Sequence, residues 1–382
     1  MAGCGRAGVA VVEFEKVGGN IKTTPVEKPE MKSRSKMSGS DRASEMTLTV
    51  LGCGKLKEAS LLQISFAKLS ADQRLRILGT MGIAILGGIL ASLDENTSTK
   101  TSSAGADEDV PSRLPTRFVA CVRRPESKKK IESALGENSK AVRIVQNDNV
   151  TACKEADVVL LGCKPYMVKD ILSESGMKEA LEGKLLISIC AGVPATQLEE
   201  AVYGDASSED PKISGRCRMV RAMPNTASAI RESMTVIATS TPALPADISA
   251  LVTWIFKRIG DVVQLPASTM DASTALCGSG PAFFALMLEA AIDGAVAMGL
   301  PRAEAQRMAA QTMRGAASLV LAGEHPAILR DKVTTPGGCT IGGLLVLEEG
   351  TVRGTVARAV REATVVASQL GKGVQGVNGT RF

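Results

Sequence analysis

Apolar positions along this chain recur with two periods. Short β-rich runs occupy Thr47–Leu51, Arg117–Val122, Val142–Val145, Val158–Leu161, Leu185–Ile189, Arg218–Ala222 and Met234–Thr239, and they predict strands. Helical or loop stretches separate most of them, and Thr80–Leu93 predicts a helix with small residues along one side. The alternation predicts an α/β fold built on a doubly wound, mostly parallel sheet. Near residue 266 the pattern changes to Ala-, Leu-, Met- and Glu-rich text, which predicts long helices over Ala282–Met298, Arg302–Leu321 and Thr340–Leu370. Residues 1–45 lack apolar periodicity and read as a disordered tail. The Ser/Thr/Asp/Pro-rich stretch 94–116 predicts a surface loop. The chain therefore divides into a tail, an α/β domain over 46–266 and an all-helical domain over 267–382.

Composition narrows the function by exclusion. Aromatic residues are only 3% of the 382 residues, which argues against a base-stacking nucleic-acid platform. A net charge of +5 is too slight to imply a polyanionic partner. No apolar run reaches bilayer-spanning length on this reading, so no membrane segment is expected. The nine cysteines form no CxxC pair, which predicts reduced thiols in a cytoplasmic compartment rather than a metal site or a disulfide framework. The single histidine, His325, sits in Glu-His-Pro on an expected surface turn, so a Ser-His-Asp triad is not available.

The first strand ends at Gly52-Cys53-Gly54. Glycines after a strand permit a tight turn and bring backbone N–H groups close to a pyrophosphate. Omitting Lys55–Gly79 makes the text Leu51-Gly52-Cys53-Gly54-Thr80-Met81-Gly82, an intact G-x-G-x-x-G leading from a strand into a helix. The 25 intervening residues look foreign to the motif. Two readings compete: a true insertion with its own helical excursion, or a retained intron translated in frame. The position favours the second. Either way the interruption separates two parts that a phosphate site needs together.

After the second strand stands Arg123-Arg124-Pro125. NAD enzymes place an acid there for the ribose hydroxyls, whereas an arginine accommodates the 2′-phosphate of NADP. A solvated basic turn is the plain alternative. Following a glycine loop, Arg124 points to NADPH, with NADH also admitted.

Two clusters in the helical part are more specific. One is Asp271-Ala-Ser-Thr-Ala-Leu-Cys277-Gly278-Ser279-Gly280-Pro281, and the other is Thr334-Thr335-Pro336-Gly337-Gly338-Cys339-Thr340. In the second, a Gly-rich turn opens a helix, and free N–H groups there make an anion hole that a carboxylate fits. An ordinary helix–helix turn would need fewer such residues.

At these residues the chain resembles the pyrroline-5-carboxylate reductases, from about Met46 to Lys372. Further matching stretches are Gly162-Cys163-Lys164-Pro165, Ser188-Ile-Cys-Ala191-Gly192, Arg221-Ala-Met223-Pro224-Asn225-Thr226 and Met298-Gly-Leu-Pro301-Arg302. Cys277 and Cys339 depart from the usual small residues, and the interruption at 55–79 is the serious departure. The resemblance implies a Rossmann-like NADP-binding domain followed by a helical dimerisation domain. It implies that Gly52, Gly54, Thr80, Met81 and Gly82 cradle the pyrophosphate and that Arg124 meets the 2′-phosphate. It places Asn149 and Cys163-Lys164-Pro165 on the adenosine and ribose side, and Met223-Pro224-Asn225 near the nicotinamide. Thr335, Gly337, Gly338, Cys339 and Thr340 would hold the substrate, with the Thr340 hydroxyl at the ring nitrogen. As plain alternatives, Pro165 and Pro224 could end strands and Asn225 could be a cap.

The implied reaction is hydride transfer from NADPH to the C=N carbon of 1-pyrroline-5-carboxylate, giving L-proline. A protonated imine is already electrophilic, so no strong general acid is expected, which suits a chain with one histidine. Self-association through the apolar helices, as a dimer or larger, is expected as well. A β-hydroxyacid dehydrogenase is the rival enzyme reading, but Ala282–Met298 lacks the lysine such enzymes use. A third reading is an inactive NADP-binding protein, with the interrupted loop as its mark.

Overall fold

A computed structural model describes residues 46–51, 81–98, 111–204 and 215–371. Eight strands form one sheet in the order β3-β2-β1-β4-β5-β6-β7-β8. They are β1 (Met46–Leu51), β2 (Pro115–Val122), β3 (Val142–Gln146), β4 (Val158–Leu161), β5 (Leu185–Ser188), β6 (Arg218–Met223), β7 (Ser233–Thr239) and β8 (Gly260–Pro266). The first six run parallel, β7 is antiparallel to β6, and β8 is parallel to β7. The order reverses between β1 and β4. That crevice, at the carboxyl ends of the strands, is where such sheets bind ligands.

Strands buried on both faces explain why their sequence reads as continuous apolar runs. Leu48, Val50, Phe118, Ala120, Leu160 and Ile187 face one core, where α1 (Met81–Ser98) and α7 (Ala246–Lys257) contribute Ile85, Ile89, Trp254 and Phe256. Leu51, Val119, Cys121, Val159, Leu161 and Leu186 face the other. That second face is covered by α3 (Asn149–Glu155), α4 (Val168–Leu172), α5 (Met177–Leu181) and α6 (Ala195–Tyr203). Each fully buried Leu, Ile or Phe contributes about 1.5–3 kcal/mol. Polar groups of β1 within this sandwich are matched: the Thr49 hydroxyl donates to the Ala152 carbonyl at 3.2 Å, and the Thr47 N–H donates to Asp157 Oδ2 at 2.8 Å, whereas the buried Thr235 hydroxyl of β7 has no partner among the described residues. The remaining helix on the first face is α2 (Pro125–Leu135), which buries Ile131.

Beyond β8 the chain is helical. Helix α8 (Met270–Ser273) runs into a π-turn at Thr274–Gly278, and α9 (Gly280–Ala297), α10 (Arg302–Leu321), α11 (Pro326–Val333), α12 (Cys339–Glu349) and α13 (Val352–Gly371) follow. Four expectations need correction. Helix α1 continues to Ser98, so the loop expected over 94–116 begins later, and residues 99–110 of it lie outside the described residues. Strand β8 was not predicted, because its Gly-Asp start and the Gln264 within it mask a short apolar run. The expected helix Thr340–Leu370 is two helices, broken at Gly350-Thr351, where Thr351 takes a φ of 53°. Finally, Ala267–Ala297 forms a 31-residue run long and apolar enough to cross a bilayer by length and composition. It was missed because Asp271 and the Gly-Ser-Gly-Pro stretch interrupt it in sequence while the helix carries on in space.

Candidate functional site

The carboxyl edge of the sheet collects most of the residues expected to meet a cofactor. Arg124 follows β2, Asn149 follows β3, Cys163-Lys164-Pro165 follows β4 and Met223-Pro224-Asn225 closes β6. Gly52, Gly54 and Thr80, together with residues 55–79, lie outside the described residues. Met81 and Gly82 open α1 at the same edge. There the Ser228 hydroxyl sits 2.9 Å from Met81 Sδ, tying the start of α1 to the turn Thr226–Ile230 after β6.

Individual roles separate once side chains are placed. Arg124 is exposed at the head of α2, with its side chain free of hydrogen bonds and ion pairs among the described residues. A dianionic phosphate oxygen set is the partner such a guanidinium recognises. Lys164 is half-buried and its carbonyl accepts from the Met167 N–H at 2.9 Å, closing the turn that begins with Pro165. Asn149 donates from Nδ2 to Glu174 Oε2 at 3.5 Å, and the cap of α3 is its neighbour Asp148. Asn225 is a cap: its Oδ1 accepts from the Ala227 N–H and its own N–H donates to Ser233 Oγ, both at 2.9 Å. Its side-chain oxygen is therefore committed to the fold. Pro224 is buried beside it. Cys163 turns its side chain away from the cleft into the second core, leaving only its backbone for a ligand.

The crevice fits a dinucleotide on its own geometry. Gly162, at the β1/β4 switch point, donates its N–H to the Leu51 carbonyl at 2.9 Å. A Cβ there would lie 3.3 Å from Ile189 Cδ1, so a larger residue would fill the cradle. The Gly278-Ser-Gly-Pro stretch abuts the far end: a Cβ on Gly278 would meet the Met223 methyl at 3.2 Å, and Cys277 and Met223 both pack on the cluster of Val236, Ala238 and Met270. This stretch adds to the residues expected at the site from sequence. The π-turn at Thr274–Gly278 makes the approach by widening the helix, and π-turns cluster at functional sites. Its signal in sequence was the hydroxyl run: Ser273 and Thr274 both donate back to carbonyls one turn earlier, at 2.9 and 2.8 Å.

The turn Thr335–Thr340 is a second, separate cluster. Gly337 takes a φ of 68°, which swings the chain into α12, and Gly338 caps that helix with no side-chain cap. The first-turn N–H groups of a helix have no intrahelical acceptors. Thr340 is half-buried, and its hydroxyl makes no hydrogen bond among the described residues, so it is not spent as a cap. Thr335, Gly337 and Cys339 are exposed. A cavity of about 1180 Å³ lies beside the β4 and β5 ends, lined by Tyr166, Gly192, Phe283 and Arg358 among others. None of Thr335–Thr340 lines it. Within one chain the sheet edge and the turn Thr335–Thr340 are therefore not joined in this cavity. His325 is exposed, and its Nδ1 accepts the Ala327 N–H at 3.3 Å as the cap of α11.

Comparison with known proteins gives these two clusters a context. Residues 267–370 match the family model described as pyrroline-5-carboxylate reductase dimerisation. Residues 78–192 match that of NADP oxidoreductases, coenzyme F420-dependent. A pyrroline-5-carboxylate reductase of Lophium arboricola is 68% identical over 90% of this chain and 99% of its own length. That of Neurospora crassa is 56% identical over 89% of this chain and 97% of its own. Among solved structures, the Coxiella burnetii reductase is 25% identical and superposes with a TM-score of 0.62, covering 85% of this chain and 98% of its own. The Plasmodium falciparum enzyme, solved with NADP bound, shares the fold at 23% identity and a TM-score of 0.59, over 86% and 98% of the two chains.

Proposed function

The chain belongs to the pyrroline-5-carboxylate reductases, and from that premise we propose which of its residues carry the reduction of 1-pyrroline-5-carboxylate to L-proline. The observation that carries the residue-level reading is the convergence of Arg124, Lys164-Pro165 and Met223 on one sheet edge. NADPH, when bound, supplies the hydride that reduces the C=N bond. Arg124 recognises the 2′-phosphate, the turns after β3 and β4 hold the adenosine side, and Met223 with Gly278 bounds the nicotinamide end. Gly52, Gly54 and Thr80–Gly82 are assigned the pyrophosphate by their motif.

Substrate falls to the turn before α12. The first-turn N–H groups of Cys339 and Thr340 suit the carboxylate, that of Gly338 being spent on the Thr335 carbonyl at 3.1 Å, and the Thr340 hydroxyl suits the ring nitrogen. A protonated imine is attacked at carbon while nitrogen keeps its proton, so the product amine needs no proton from the protein during hydride transfer. The capping role and exposure of His325 agree with a mechanism of orientation and proximity. Two copies complete the site on this reading, the helical part of one bringing its turn to the cofactor edge of the other. The open faces of α9 to α13 support that arrangement, and so does their match to a dimerisation family. The run Ala267–Ala297 is assigned to that interface rather than to a bilayer. A reducing cytoplasm suits the free thiols of all the described cysteines. Nothing observed favours the β-hydroxyacid dehydrogenase or non-enzymatic readings.

The test is NADPH oxidation dependent on 1-pyrroline-5-carboxylate, run on the full chain and on a variant lacking residues 55–79. Both are expected to fold, with the full chain binding NADPH much more weakly. Equal NADPH dissociation constants would overturn the disruptive role of 55–79. Absence of turnover in both proteins would overturn the residue assignment.

A further inference from the structure

Two thiols that the reduction does not use face each other directly beneath the cofactor edge. Strands β4 and β5 pair in parallel with Leu161 opposite Ser188. Cys163 and Cys190 each lie two residues further on, so they extend the same register beyond the strand ends. The pairing continues there, because the Ile189 N–H donates to the Leu161 carbonyl at 3.0 Å. Neighbouring strands run about 4.7–4.9 Å apart, inside the range of about 4.4–6.8 Å that disulfide-linked Cα atoms span. The sulfurs are 3.9 Å apart, and both side chains are buried in the second core. An S–S bond of about 2.05 Å therefore needs an approach of about 1.9 Å, shared between two side chains.

We propose that Cys163 and Cys190 are a peroxide-sensitive thiol pair whose oxidation to a disulfide ties the ends of β4 and β5 together and disables the cofactor edge. The contact between the two sulfurs, with burial, pushes the Cys163 thiol above the usual cysteine range, whereas that contact holds Cys190 below it, so Cys190 reacts first. Its thiolate displaces hydroxide from hydrogen peroxide and becomes a sulfenic acid. The Cys163 sulfur then attacks that sulfur, forming the S–S bond and releasing water. In sum, two thiols and one peroxide give one disulfide and two waters. The bond must draw Cys163 toward β5, and Gly162 and Lys164 are its direct chain neighbours. Gly162 has little room on that side, since a Cβ there would lie only 3.3 Å from Ile189 Cδ1. The effect on NADPH rests on the cofactor reading above, whereas formation of the bond does not.

The experiment treats the full chain with hydrogen peroxide, blocks the remaining thiols after denaturation, and maps peptides by mass spectrometry. NADPH is titrated before oxidation, after it, and after dithiothreitol. The expected result is a peptide linked through Cys163 and Cys190, with NADPH binding at least tenfold weaker and restored by the reductant. Cys190→Ala should bind NADPH as the parent does and keep that binding after peroxide, and Cys190→Ser serves if the alanine variant folds poorly. Peroxide that leaves both thiols free to be blocked would overturn the proposal, as would a linked peptide with an unchanged dissociation constant. A chain without measurable NADPH binding before oxidation bears on residues 55–79 and on the cofactor reading, and the peptide map then decides the thiol pair alone.

Discussion

The sheet and the helices beyond it are built from equally apolar text, yet they bury it differently. In the first part Leu48, Leu160 and Phe256 are each 0% exposed, and helices close both faces of the sheet. In the second part α9 buries only Gly280, α10 only Ala305 and α13 only Ala367, while α11 and α12 bury nothing. Leu286 is 68%, Leu321 80% and Met298 85% exposed. The contrast teaches that the sheet is a finished core, and that the helices are one side of a core whose other side is another chain. Exposed apolar patches of this extent mark interfaces. The turn Thr335–Thr340, proposed above to hold the substrate, belongs to the unfinished part and lines no cavity shared with the sheet edge within one chain.

That comparison can be broken in order of effect. The largest effect is expected from the double change Leu286→Asp and Val346→Asp, which sets unpaired carboxylates in the open helical faces. Light scattering should report monomers, and reductase activity should fall to background while NADPH binding persists. An assembly of unchanged mass would place the interface elsewhere. Next, Leu160→Ala should lower unfolding stability by about 2–5 kcal/mol, because it empties a fully buried position at the sheet centre. Leu286→Ala should alter stability mainly through a steeper dependence of Tm on protein concentration. Equal, concentration-independent losses would erase the distinction between the two parts.

Smaller effects sharpen it. Arg124→Asp should weaken NADPH by about tenfold to a hundredfold, the worth of a charge-assisted hydrogen bond, and should spare NADH. Equal losses for both cofactors in titration would remove the 2′-phosphate role. Thr340→Val keeps the shape and removes the hydroxyl, so kcat/KM should drop by about tenfold with NADPH affinity nearly unchanged. Unaltered turnover would leave Thr340 as part of the helix start only.

What was legible in the sequence was local. Strand β4 runs over Val158–Leu161 and α10 over Arg302–Leu321, as predicted, since period and boundary residues decide both. Ile83, Ile85 and Leu86 are buried because α1 is apolar around most of its circumference and the first core closes over it. The motifs likewise placed Arg124, Cys163–Pro165 and Met223–Asn225 together, because a parallel sheet brings every strand end to one edge.

What tertiary structure alone decided was direction and company. Nothing in Gly-Cys-Lys-Pro says that the Cys163 side chain turns inward to meet Cys190, 27 residues later; register between two strands does that. Nothing in Met-Pro-Asn says that Asn225 spends its oxygen on Ala227 and is fastened to Ser233, because hydrogen-bond partners are set after the strands align. The break at Gly350-Thr351 is equally silent in an apolar run, where Thr351 takes a positive φ and α13 goes on to pack against α8 and the π-turn. Periodicity records which faces of a helix are apolar, and only packing settles whether its own chain or a second one covers them.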